Sequence, residues 1–364
     1  MVVLCGGRSA ERLVSLVSAQ CVVAHLDPGR YRARLVHIGL DGSWAEVRPE
    51  RLLAETPQAF HTSPAAVRRL RAGSRALNPW TLFTSLRAED CVFPVLHGPM
   101  GEDGTLQGLL ELTGAAYVGN GVLGSAAGMD KEATKRVAAQ AGIPQVPWAV
   151  ARTPREAADA ARRFGFPVFI KPAKMGSSIG VVKVGRVAEI PAALREALRY
   201  DDKALVEKGV PAREVEIAVL GDPWAPAGDR FELKASIVGE IVPNADFYDY
   251  RAKYLDPDGA RLLVPAPLPA ASAARVRTLA LTAFRALDLY GLARVDFFVH
   301  KRTGTVYFNE PNTLPGFTPI SMYPRLWRDS GIPTRRLVET LVALAHRRAR
   351  GRSRLSADPS ARRD

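Results

Sequence analysis

Two runs near the C-terminal end, GLARVDFFV (291–299) and VYFNEPNTLPGFTP (306–319), constrain this chain more than any other feature. Both are apolar and rich in β-branched and aromatic residues, and the HKRTG between them reads as a turn, so together they predict a β-hairpin. Pairing the two strands sets Asp296, Glu310 and Asn312 side by side at one end of a sheet. Mg2+ takes hard oxygen ligands in octahedral array, a few from protein and the rest from water and phosphate. Two acids at a hairpin end are ordinarily just solvated. The metal reading gains weight because the rest of the chain carries phosphate-binding features.

At 364 residues the chain is long enough for two or three domains with buried cores, and its 47% hydrophobic and 24% charged content is that of a soluble globular protein. No run approaches the roughly 18 apolar residues of a membrane span. The start, MVVLCGGRSAER, is an apolar strand without a basic region or cleavage site, so no signal peptide is expected. Three cysteines (Cys5, Cys21, Cys91) lie in apolar surroundings without a CxxC, which suits buried thiols in the reducing cytoplasm. The net charge of +13 raises the question of a nucleic-acid partner. Residues 347–364 hold seven arginines against Asp358 and Asp364, a net +5 in an unpatterned, polar segment that reads as a disordered tail. It carries no base-reading motif, so neither nucleic acid nor membrane is expected as a partner. The remaining excess suits an enzyme acting on a polyphosphate.

Strands and helices alternate from residue 1 to about 120, which predicts an open α/β domain with a mostly parallel sheet and site loops at GGRSAE and HGPMGEDG. Residues 121–208 form a second segment. It holds the helical MDKEATKRVAAQAG, the strand pair in FPVFIKPAKMGSSIGVVKV and the strand ALVEK. Residues 209–346 form a third, with the strand REVEIAVLG, the acidic hairpin and a last helix from about Thr334 to His346. The irregular NADFYDYRAKYLDPDGARLLVPAP within it has the length of a lid or binding loop. WAPAGDRFELKAS, in the stretch 224–245, reads as a surface hairpin.

In KPAKMGSSIG, Lys171 ends a strand and a loop of small residues follows, with Gly176, Ser177, Ser178 and Gly180. Glycine lets backbone N–H groups approach phosphate oxygens, and serine hydroxyls add donors. No GK[ST] opens a helix, so this is not a Walker A loop. Lys131 lies on a predicted helix, and Glu207 and Lys208 close the strand VEK between the second and third segments. Glu214 could accept from ribose hydroxyls, with Glu216 on the same strand face as the competing choice. Metal-binding hairpin, lysines and loop together predict a nucleotide-dependent ligase.

The chain resembles the D-alanine–D-alanine ligases of the ATP-grasp superfamily. The resemblance rests on GGRSAERLVSL, HGPMGEDGTLQG, GMDK, FIKPAKMGSSIGVVKV, VEK, FYDYRAKY, ARVDFF and NEPNTLPGFTPISMYP, which occur in the family's order and span Met1 to about residue 345. It implies a three-domain α/β (α+β) ATP-grasp fold, with ATP clamped between the second and third domains, and ATP-dependent joining of two D-alanine molecules for peptidoglycan precursor. It implies roles as well. Lys131, Lys171 and the 176–180 loop would hold the phosphates, with Lys253 reaching them from the lid. Glu207 and the backbone of Lys208 would bind adenine, and Glu214 the ribose. Asp296, Glu310 and Asn312 would hold two Mg2+ (or Mn2+) ions. Arg294 and the N–H of Gly316 would stabilise the oxyanion. Glu11 would take the first D-alanine's ammonium, with His97 near its carboxylate and Glu102 orienting His97. Ser177 and Tyr254 would join Glu11 in a triad, and Ser321 and Met322 would line the second D-alanine pocket. A homodimer is expected from the family.

One departure from the family pattern is Pro311, between Glu310 and Asn312, where an apolar residue is usual. It puts the local geometry of the metal site in question. The alternative functions are a D-alanine–D-lactate or D-alanine–D-serine ligase and, more distantly, an inactive polyanion-binding relative.

Overall fold

A computed structural model describes residues 1–243 and 260–355. The first sheet comprises β1 (Val2–Gly6), β2 (Arg34–Ile38), β3 (Trp44–Val47), β4 (Arg75–Leu77) and β5 (Val92–Pro94), in the order β4-β3-β2-β1-β5. Central β1 is buried along its whole length, as a strand covered on both faces must be. Only its pairings with β2 and β5 are parallel; β2–β3 and β3–β4 are antiparallel. The sheet is therefore mixed rather than mostly parallel. The reason is local: Gly39 N–H bonds the Ser43 carbonyl at 2.8 Å and Gly42 takes φ +82°, a tight reversal that returns β3 alongside β2. Residues 44–90, irregular in the sequence reading, hold β3, β4 and short helices, four of them opened by a proline.

A four-stranded sheet follows, β6 (Trp148–Ala151), β7 (Val168–Pro172), β8 (Val182–Val184) and β9 (Ala204–Lys208), in the order β6-β9-β7-β8 and antiparallel throughout. Helices Pro154–Phe164 and Ile190–Ala197 cover one face, packing Ala157, Ala161 and Leu194 with Ile170 and Val206. The first is closed by a capping box between Thr153 and Glu156. The last sheet comprises β10 (Ala212–Gly221), β11 (Lys234–Pro243), β12 (Ala260–Leu263), β13 (Gly291–His300) and β14 (Val306–Asn312), in the order β12-β11-β10-β13-β14. Helix Ala270–Ala286 buries Val276, Ala280 and Phe284 against it.

The hairpin of β13 and β14 carries one irregularity that decides the site. Asp296 lies opposite Glu310, but Phe297 lies opposite Phe308, leaving Asn309 as an extra residue. Strict alternation along β14 would put Glu310 on the same face as Phe308. The bulge instead lets Phe308 pack edge-on against Phe297 in the core while Glu310 and Asn312 share the face of Asp296 and Arg294. Pro311 stands opposite Val295 on this edge strand, where a missing N–H is tolerated, and it is buried near Gly128. The register of Glu310 with Asp296 is intact.

Two further expectations are corrected. The stretch 224–245 is not a surface hairpin: Phe231 and Leu233 are buried in the β10–β11 connection, and Lys234–Pro243 is an internal strand between β10 and β12. The last helix does not end at His346 but runs from Thr334 to Ser353, so the segment from residue 347 begins as ordered helix. Its arginines find specific partners, which composition does not reveal. Arg347 bonds Asp222 at 2.9 Å and Asp229 at 3.1 Å. Arg348 donates to the carbonyls of Gly119 at 2.6 Å and Tyr117 at 3.2 Å, and lies over the rings of Tyr117 and Tyr290. Residues 356–364 lie outside the described residues. Arg348→Ala is expected to destabilise the protein by about 2 kcal/mol, from lost cation–π contacts and carbonyls left without donors. Urea unfolding measures this, and an unchanged midpoint would show that the helix end contributes nothing.

Candidate active site

The four-stranded sheet and the last sheet contribute to one cleft with two lobes. Lys171, Ser178, Glu207, Lys208, Glu214 and Asp296 line the first lobe. Glu11, His97, Glu102, Ser177, Asn312, Gly316, Ser321 and Met322 line the second. Lys131, Gly176, Arg294 and Glu310 border both. Every candidate residue within the described part of the chain therefore reaches this cleft. Lys253 and Tyr254 lie outside the described residues.

In the first lobe, cations and carboxylates are paired across elements. Lys171 on β7 contacts Glu207 on β9 at 2.7 Å, and Lys135 contacts the other oxygen of the same carboxylate at 2.8 Å. Burial alone would raise the Glu207 pKa, but the two lysines outweigh it and hold the group at about 2. Lys135, which the sequence reading passed over, closes the MDKEATK motif. It lies one helical turn after Lys131 on helix Lys131–Gln140, and that i,i+4 spacing from a candidate lysine was the available signal. Lys131 itself donates to the Met175 carbonyl at 2.6 Å and contacts Glu310 at 3.2 Å. The Lys208 N–H goes to the Pro147 carbonyl at 2.9 Å and its amine to that of Gly165 at 3.0 Å, while the residue itself lines the lobe. Glu214 and Glu216 differ in exposure and partners. Glu216 is buried and contacts Arg294 at 3.1 Å, whereas Glu214 is exposed on the lobe's wall.

The loop after β7 adopts an unusual backbone. Ser177 and Ser178 take φ of +52° and +58°, a left-handed conformation that costs non-glycine residues of order 1 kcal/mol each. Gly180 must be glycine, since a Cβ there would lie 2.9 Å from the Pro172 ring. The strained turn brings the Ser177 hydroxyl onto the Glu11 carboxylate, joining this loop to the first segment.

Asp296 and Glu310 face each other across β13 and β14, and Arg294 and Asn312 form the next pair on the same face. Arg294 donates to both oxygens of Asp296, at 2.8 and 2.7 Å. The donor set suits a hard divalent cation: two carboxylates and an amide, all oxygen ligands. The Asn312 side-chain oxygen is buried without a hydrogen-bond partner among the described residues, so its lone pairs are available to a cation. Asn309, the bulge residue, approaches Lys171 at 3.5 Å and was also missed by the sequence reading.

In the second lobe, His97 has a defined tautomer. A carbonyl only accepts, so Nδ1–H donates to Leu314 O at 3.0 Å. The Ser18 hydroxyl, which accepts the Phe317 N–H at 3.1 Å, then donates to Nε2 at 3.2 Å. Burial lowers the His97 pKa, consistent with a neutral ring. Glu102 makes no direct hydrogen bond to His97, whose two ring nitrogens meet Leu314 and Ser18. Its carboxyl instead accepts the Gly98 N–H at 2.7 Å, and burial followed by the nearby Glu11 charge pushes its pKa up to about 8. Gly316 is in tight contact with Ser321, whose Oγ would stand 2.8 Å from a Cβ there.

Comparison with known proteins accords with this geometry. Family models described as D-ala D-ala ligase N-terminus and C-terminus match residues 1–120 and 137–343. A D-alanine--D-alanine ligase of Heliobacterium modesticaldum is 45% identical, over 97% of this chain and 96% of its own length. Among solved structures, the D-alanine-D-alanine ligase of Coxiella burnetii superposes with a TM-score of 0.81 at 34% identity, covering 97% of this chain and 95% of the other. VanG D-Ala:D-Ser ligase of Enterococcus faecalis does so with 0.78 at 31% identity, covering 94% and 98%. Sequence and architecture agree along nearly the whole length: the chain belongs to the D-alanine–D-alanine ligase family and has its ATP-grasp fold.

Proposed function

We propose that this enzyme joins two D-alanine molecules into D-alanyl-D-alanine, a peptidoglycan precursor, at the expense of ATP. The observation that carries this reading is the position of Arg294, which borders both lobes and so stands between a phosphate-holding wall and a pocket closed by Glu11, His97 and Ser321. A carboxylate is a poor electrophile because its leaving group would be oxide. Transfer of the ATP γ-phosphoryl group to a carboxylate oxygen of the first D-alanine gives ADP and an acyl phosphate. The free amine of the second D-alanine attacks that carbonyl, and collapse of the tetrahedral adduct expels phosphate, which leaves with the proton that the amine gives up. Such chemistry is driven mostly by positioning and charge.

Lys131, Lys171 and the N–H groups of the 176–180 loop bind the phosphates. Lys253, outside the described residues, is proposed to join them. Glu207 faces the base, and exposed Glu214 accepts from the ribose. Asp296, Glu310 and Asn312 hold two Mg2+ or Mn2+ ions, which when bound neutralise charge on the phosphates during transfer. Arg294 and the Gly316 N–H stabilise the oxyanion of the adduct. Glu11, fixed by Ser177 and with Tyr254 as the proposed third member, takes the first ammonium, and neutral His97 stands near its carboxylate. Glu102 shapes the loop at Gly98. Ser321 and Met322 line the second amino-acid pocket. In this proposal the chain has three domains, 1–120, 121–208 and 209–346, and the enzyme is cytoplasmic and homodimeric.

Asp296→Asn and Glu310→Gln are expected to lower turnover at least about a hundredfold while leaving the circular dichroism spectrum unchanged, because each removes charge from the reacting centre. Near-normal turnover of either variant at saturating Mg2+ would contradict the assignment. The second substrate is D-alanine rather than D-lactate, since Ser321 and Met322 at this pocket are themselves uncharged and add no charge of their own to repel an ammonium. Competition at neutral pH with equal D-alanine, D-lactate and D-serine tests this. Predominant D-alanyl-D-lactate or D-alanyl-D-serine would move the chain to another specificity class.

A further inference from the structure

Lys135 is among the largest fully buried side chains of the chain, and it is not itself on the cleft wall. A buried ammonium costs several kcal/mol in lost hydration, and an apolar residue of similar volume would serve packing at least as well. Its contact is with Glu207 Oε1 at 2.8 Å, while Lys171 holds Oε2 at 2.7 Å. Glu207 is thus pinned by both oxygens, one lysine behind it and one beside it on the wall. An ionised carboxylate can only accept hydrogen bonds. The six-position of adenine offers an amine donor, whereas that of guanine offers a carbonyl acceptor. A carboxylate kept ionised and immobile at this point attracts the first and repels the second.

We infer that Lys135 is a positioning residue for base selection, acting through Glu207 to make the cleft accept adenine and reject guanine nucleotides. This rests on the reading of the first lobe as the ATP site. Without Lys135, Glu207 keeps one tether and swings toward Lys171, withdrawing from the base and drawing that lysine from the phosphates. A role in packing alone would change stability and leave base preference untouched.

The test uses full-length Lys135→Met, with KM and kcat measured for ATP and GTP alongside the melting temperature. Relative to the unaltered protein, KM for ATP should rise about tenfold, of the order of one close charge pair lost, with a smaller change in kcat. The ratio of kcat/KM for ATP over GTP should fall by a similar factor. Should the single variant not fold, Lys135→Gln, which keeps a polar end but loses the charge that holds Glu207, takes its place and should show the same loss of preference. A folded variant of either kind that keeps the ATP preference overturns the inference, as does an unaltered protein that uses GTP as well as ATP. Absence of any ATP turnover in the unaltered protein would instead sink the ligase reading itself.

Discussion

A charge removed from water costs several kcal/mol unless a partner is built beside it, and the cleft wall of this chain gathers many such charges. Lys135 and Lys171 share Glu207, Lys131 meets Glu310, and Arg294 bridges Asp296 and Glu216. Three of these links join different elements: helix Lys131–Gln140 to β9 and to β14, and β7 to β9. A fourth ties β13 to β10. The need to compensate buried charge therefore fixes the sheets that form the cleft, and the same groups are the ones that polyphosphate chemistry uses.

That double employment shapes the energetics of the proposed reaction. In the structure each cation is neutralised by a protein carboxylate, so phosphates arriving in the first lobe exchange one partner for another rather than meeting bare charge. Exchange of this kind keeps the net cost of binding low and lets the stabilising contacts grow where charge develops. The Ser177–Glu11 contact adds a mechanical link, since it joins a loop held in left-handed backbone to the first segment. Strain of this sort persists only where surrounding contacts over-determine the conformation.

Far from the cleft, the last helix performs the corresponding structural task. Arg348 is held between Tyr117 and Tyr290 while bonding carbonyls of the first segment, and Arg347 secures the β10–β11 connection. Arginine suits this position because its planar guanidinium stacks on rings and donates in several directions at once. A lysine there would supply the charge without the geometry.

The sequence by itself determined the segment order and the existence of nearly every strand named from it, and the family resemblance carried by its motifs pointed to residues that line the cleft. These were legible because strand periodicity, turn residues and short motifs are local, and each motif carries its chemistry in its residue types. The parallel character of the first sheet was over-read, since a tight reversal at Gly39–Ser43 is indistinguishable in sequence from any other loop. The arginine-rich end read as disordered because composition does not report partners more than a hundred residues away in sequence. Only the tertiary structure decided that Lys135 stands behind Glu207, that Glu102 bonds Gly98 rather than His97 directly, and that Glu216 is committed to Arg294. It also decided the bulge at Asn309, without which period-two alternation would turn Glu310 away from Asp296. The Lys135 and Glu216 contacts join elements far apart in the chain, which packing sets and no local pattern encodes. The Gly98 bond and the bulge are short-range features whose geometry only the folded backbone shows.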